Sequence, residues 1–120
     1  MPILLHPRLA QAAALLATLI VAYASLMHNP PLPEVPQSDK WAHLLGYACL
    51  ASAWLLALPR HRLALVLGAI GYGILIECLQ GLTDYRSFDP LDMLANGAGC
   101  LIGLALSWPL GRIVRVRRSD

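Results

Sequence analysis

Three groups of polar residues interrupt an apolar chain: Asp39-Lys40-x-x-His43-x-x-x-Tyr47, Glu77-x-x-Gln80 and Arg86-x-x-Asp89-x-x-Asp92-x-x-x-Asn96. Their types suit proton transfer beside an anionic group. Glu77 and His43 are candidate general acid and base, since imidazole titrates near neutrality and a carboxyl can work opposite it. Lys40 and Arg86 can hold a phosphate or a carboxylate, Arg86 on two oxygens through its planar fork. Asp39, Gln80, Asp92 and Asn96 are candidate ligand-binding groups around them. A divalent ion on His43, Glu77 and Asp92 is conceivable from the donor types. No ligand spacing of a recognised site supports it, so neither metal nor cofactor is expected. Nucleophile elbow, H-E-x-x-H and glycine-rich phosphate loop are all absent, so no motif names a reaction.

Helical spacing decides which of these groups can meet. Asp39, His43 and Tyr47 recur every four residues and share one face, and Glu77 and Gln80, three apart, share another. Asp89, Asp92, Asn96, Gly99 and Gly103 step by three and four down a single side. Gly99-x-x-x-Gly103 lets a second helix approach closely, and Gly73 can do the same one turn before Glu77. If those two faces meet, Asp92 and Asn96 converge on Glu77 and Gln80. Glu77 lies about 7 to 8 Å inside Leu82 by helical rise, so it needs a partner or a wet recess.

Plainer roles fit the same residues. Asp89 followed by Pro90 reads as a helix cap, with Asp92 complementing the helix dipole. Ser38 or Asp39 can cap the helix that carries His43. Lys40 can snorkel, His43 can bond Asp39, and Glu77 can bond Gln80 or Asn96. Trp41, Tyr85 and Trp108 suit a membrane interface.

The elements that must position the set are membrane helices. The 120 residues are 58% hydrophobic and 13% charged, too apolar for an ordinary soluble domain of this length. Four apolar runs, about 9–27, 41–58, 63–82 and 93–110, meet the roughly 17 to 25 residues that a helix needs to cross a bilayer. The expectation is one all-α membrane domain over 1–120, a bundle of four transmembrane helices. Prolines at 30, 31 and 33 make the first link extended, and Pro59 ends the second run before a tight Arg60-His61-Arg62 turn. Seven of the nine basic residues, Arg8, Arg60, Arg62, Arg112, Arg115, Arg117 and Arg118, fall on one side of such a bundle. That bias puts both termini in the cytoplasm and the polar set on the outer side.

The basic tail suits anionic lipid rather than nucleic acid. Ala22-Tyr23-Ala24 offers a signal-peptidase pattern, although the run before it is long for a signal peptide, and an uncleaved span is expected. Cys49, Cys78 and Cys100 are odd in number, lack a C-x-x-C pair and read as small core residues.

The ordered set Asp39-Lys40-x-x-His43-x-x-x-Tyr47, Glu77-x-x-Gln80 and Arg86-x-x-Asp89-x-x-Asp92-x-x-x-Asn96-x-x-Gly99 resembles the VanZ-like family of small bacterial membrane proteins, over about residues 39–103. The family's namesake is associated with low-level resistance to the glycopeptide teicoplanin, and related domains occur in bacteria without glycopeptide-resistance clusters. The resemblance implies a multi-pass protein of the bacterial inner membrane that affects the cell envelope. It places recurring polar positions at Asp39, Lys40, His43, Glu77, Gln80, Arg86, Asp92 and Asn96. The expected partner is a membrane lipid or lipid-linked envelope molecule, bound or modified at an outward-facing site. The alternative is a non-catalytic accessory subunit, with the small-residue faces also allowing a helix-to-helix oligomer.

Overall fold

A computed structural model describes residues 1–27, 38–84 and 89–117. Four helices make up most of it: α1 Pro7–Leu26, α2 Ser38–Ala57, α3 Arg62–Gly81 and α4 Pro90–Ile113. Each lies within three residues of an expected span. Proline opens α1, α4 and the 3-10 turn Pro59–His61 that leads into α3, a position where its missing N–H costs nothing. At the start of α1 the His6 imidazole accepts from Arg8 N–H at 3.2 Å. The proline-rich stretch 28–33, Tyr85, Arg86, Arg118 and the side chain of Ser38 lie outside the described residues.

α1, the segment Pro59–Gly81 and α4 are long and apolar enough to cross a membrane. α2 is as long as α1 and α3, but Asp39, Lys40 and His43 occupy its first two turns. It packs against each of the other three helices and most extensively against α4. The sorting of side chains is that of a protein solvated by lipid. Leu15, Leu16, Leu19, Leu45, Leu67 and Leu101 face outward, while the buried positions include Ala10, Ala14, Ala51, Ala69 and Cys100. Small residues inside let helices pack tightly where apolar burial alone supplies no drive.

Gly99 and Gly103 meet α2, not α3 as their spacing suggested. A Cβ on Gly99 would collide with Leu44 O and stand 3.0 Å from Tyr47 Cβ; one on Gly103 would stand 2.7 Å from Ala48 O. α2 offers Ala48, Ala51 and Ser52 as a matching small surface, whereas the space beside Gly73 on α3 is filled by Asn96, 3.0 Å from where a Cβ would sit. The inward reading of the cysteines holds for Cys100 only, because Cys49 and Cys78 are exposed on the outer surface. An all-apolar helix gives no contrast by which to tell its inner face from its outer one.

Two short strands modify the all-α expectation. β1, Ile3–Leu5, pairs in parallel with β2, Val114–Val116, with Ile3 opposite Val114 and Leu5 opposite Val116. Arg117 N–H extends the ladder to Leu5 O at 2.8 Å. This pairing holds the two chain ends side by side.

Candidate functional site

The polar site is assembled at the start of α4. Asp89 caps that helix, its carboxylate accepting from Leu91 N–H at 2.9 Å. The backbone N–H of Asp89 donates in turn to Glu77 Oε1 at 2.7 Å. Glu77 therefore reaches from α3 to the positive end of the α4 dipole, where a carboxylate is favoured. Its side chain is wholly buried.

α2 supplies the ammonium and the imidazole. Lys40 Nζ donates to Asp89 Oδ2 at 3.1 Å and stands 3.4 Å from Asp92 Oδ1 and 3.5 Å from Asp39 Oδ2. The ammonium bonded to Asp89 holds that carboxyl below the usual range, with the Leu91 N–H adding to the effect. Lys40 is thus fixed among three carboxylates rather than snorkelling. One turn deeper, His43 Nδ1 lies 2.8 Å from Asn96 Oδ1, and Nε2 lies 3.7 Å from Asp92 Oδ2.

Asn96 settles the histidine tautomer. Its Nδ2 donates to Gly73 O at 3.3 Å, and a carbonyl can only accept, so Oδ1 faces His43 and must itself accept. His43 Nδ1 is the donor, and Nε2 is turned to Asp92. The bond to Asp39 that i,i+4 spacing allows is not the one formed: α4 approaches α2 closely enough to capture the imidazole.

Asp39, Lys40, His43, Glu77, Asp92 and Asn96 are brought together, with Asp89 among them. Exposure falls inward, from part-buried Asp39, Lys40 and Asp89 to buried His43, Asp92 and Glu77. Gln80 is turned away, its Nε2 donating to Ser25 O of α1 at 2.6 Å. Glu77 bonds neither Gln80 nor Asn96, since the α4 backbone offers a nearer donor. Arg86 is outside the described residues.

Among the described residues, four buried polar atoms have no hydrogen-bond partner: Tyr47 Oη, Glu77 Oε2, Gln80 Oε1 and Asp92 Oδ1. Glu77 and Asp92 also belong to a set of potential metal donors. His43, Glu77 and Asp92 each offer one atom within 4.8 Å of the others, as do Asp39, Asp89 and Asp92. Lys40 already serves the second set. Chemically the site combines an imidazole, buried carboxylates and an ammonium at its rim.

Sequence reasoning missed the part of α1. Thr18 Oγ1 accepts from Trp54 Nε1 at 2.8 Å, and Thr18 O accepts from Tyr72 Oη at 2.8 Å, tying α1 to α2 and α3. Nothing in the spacing of these residues marks a contact across 36 positions. At the other end, Arg62 donates to Ser107 Oγ at 2.8 Å and stacks over Trp108, 4.8 Å from the ring centre.

A profile of the VanZ/LLP1 family matches residues 6–114, most of the chain. An uncharacterized protein of Schizosaccharomyces pombe, C11E3.10, is 35% identical over 100 residues, which is 78% of this chain. The match takes in 60% of that relative's length. No solved structure gives a significant match.

Proposed function

The chain belongs to the VanZ/LLP1 family, and from that premise and the buried ionic cluster we propose that it binds and processes the polar head of an amphiphilic, lipid-linked envelope molecule. The observation that carries this reading is Glu77: fully buried, held through Oε1 by the α4 N-terminus, with Oε2 lacking a hydrogen bond and its carboxylate close to His43 and Asp92. Ionisable groups in a lipid-solvated bundle are costly unless they have work to do. In this reading Lys40 and Arg86 hold the anionic head. His43 Nε2 and Glu77 exchange protons with it, and Asp39, Asp92 and Asn96 orient the participants. Gln80 supports the site by fastening α3 to α1.

All four helices cross the membrane in this proposal, with both termini cytoplasmic and the site outward, in the inner membrane of a bacterial cell. The charge bias of the loops supports the orientation, and the pairing of β1 with β2 supports an even number of crossings. A relative in a yeast favours a lipid head chemistry over a target found only in glycopeptide-sensitive walls. Teicoplanin susceptibility is then one consequence of altered envelope lipid.

The test is incubation of purified protein with labelled envelope lipids, alongside envelope-antibiotic sensitivity of cells at matched membrane abundance. Wild type should change the lipid, and Glu77→Gln and Arg86→Ala should abolish that change. Retention of unchanged lipid would instead support a non-catalytic binder. If both variants behave as wild type in an assay where wild type acts, the site assignment is wrong.

A further inference from the structure

We infer that His43, Glu77 and Asp92 form a site for one divalent transition-metal ion, an inference that rests on the reading of this cluster as the functional site. The three come from α2, α3 and α4 and converge with one donor atom each inside 4.8 Å. Donors about 2.1 Å from a common tetrahedral ion stand about 3.4 Å apart, so side-chain rotations that move the donor atoms by roughly an ångström close the set.

The surroundings are those of a ligand shell. His43 Nδ1–H is spent on Asn96 Oδ1, and Asn96 is itself anchored to Gly73 O, so Nε2 is presented in the tautomer that binds metal. Glu77 is oriented by the bond from Asp89 N–H to Oε1, which leaves Oε2 unused. Asp92 Oδ1 is also buried without a hydrogen bond, with the Lys40 ammonium 3.4 Å away. Leaving the Glu77 oxygen buried and unmatched is expensive, and a cation removes the expense.

Lys40 does not supply that cation to Glu77. Its ammonium is shared by Asp39, Asp89 and Asp92, and among the described residues no Lys or Arg pairs with Glu77. One imidazole and two carboxylates suit a Mn²⁺, Co²⁺ or Zn²⁺ ion better than Ca²⁺, which prefers an all-oxygen shell. Three protein donors leave coordination positions open for an anionic head group.

Full-length protein in detergent, stripped with chelator, should be titrated with Mn²⁺ and followed by electron paramagnetic resonance, with Co²⁺ absorption as a second readout. The expected result is one ion per chain. Glu77→Gln and Asp92→Asn should weaken binding more than about 100-fold, and Asn96→Ala, a positioning change, by about 10- to 100-fold. Helicity and elution volume check that each variant is folded. Lys40→Met keeps all three ligands and should tighten binding, so it tests the site even if a ligand variant fails to fold. No saturable uptake by folded wild type overturns the inference, as does uptake that survives both ligand variants and so belongs to exposed His6 or His61. The lipid assay separates this result from the reading beneath it. An ion bound without lipid retention or turnover would defeat that reading and leave the metal site. Turnover by stripped protein without ion uptake would do the reverse.

Discussion

Replacing Gly103 with alanine tests the α2–α4 contact on which the site depends. The added Cβ would stand 2.7 Å from Ala48 O, 2.8 Å from Ala51 Cβ and 3.1 Å from Ser52 N. Two of these are backbone atoms, so no rotamer change relieves the conflict. To restore ordinary contact α4 must retreat from α2 by about 0.7 Å, a gap that forfeits roughly a quarter to a half of the attraction between facing atoms. The bond from Ser52 Oγ to Gly103 O, already 3.3 Å, lengthens with it. Overpacking typically costs about 1–3 kcal/mol, and a clash with backbone belongs at the upper end, about 2–3 kcal/mol. Unfolding in detergent, followed by circular dichroism against increasing SDS, measures the loss. Gly97→Ala is the matched control, because nothing lies within 4 Å of its new Cβ. Helix propensity makes that change neutral or stabilising by up to about 1 kcal/mol. If Gly103→Ala proves as stable as Gly97→Ala, the close α2–α4 approach is wrong, and with it the bond between His43 and Asn96.

Thr18→Val keeps the shape of α1 but strands Trp54 Nε1, which now donates to Thr18 Oγ1. It should cost about 1 kcal/mol in the same unfolding assay and shift the Trp54 fluorescence. Gln80→Leu removes the bond to Ser25 O but also the unpartnered Oε1, so the two effects offset and stability should change by less than about 1 kcal/mol. Hydrogen exchange should nevertheless rise at the C-terminal end of α1. In detergent at raised pH, where surface thiols can ionise, Cys49 and Cys78 should react with a small maleimide in the folded protein well ahead of Cys100, which should react fully only after denaturation. Equal labelling of all three would contradict the burial of Cys100.

The candidate site was largely legible because helical periodicity is strict. Asp39, His43 and Tyr47 share a face wherever α2 lies, and Asp89 before Pro90 marks the start of α4 on stereochemical grounds alone. What periodicity specifies is a face, not the partner that meets it. Spacing therefore left His43 free to bond Asp39 and Glu77 free to bond Gln80, whereas α4 took both through Asn96 and the Asp89 N–H. Gln80 went to α1, which carries no charged residue beyond Arg8 and so gave no sign of taking part.

By itself, then, the sequence determined the helices: apolar runs of bilayer length, prolines at their openings, and polar groups confined to three short stretches. Those properties depend on neighbours within a few residues. Only the tertiary structure decided that the glycine stripe lies on α2, that Lys40 serves three carboxylates, that Cys49 and Cys78 face outward, and that the chain ends form a parallel ladder. The physical reason is that lipid is as apolar as leucine. With no hydrophobic contrast between the inner and outer faces of a helix, packing is chosen by small residues and by inter-helix hydrogen bonds between positions about fifty residues apart.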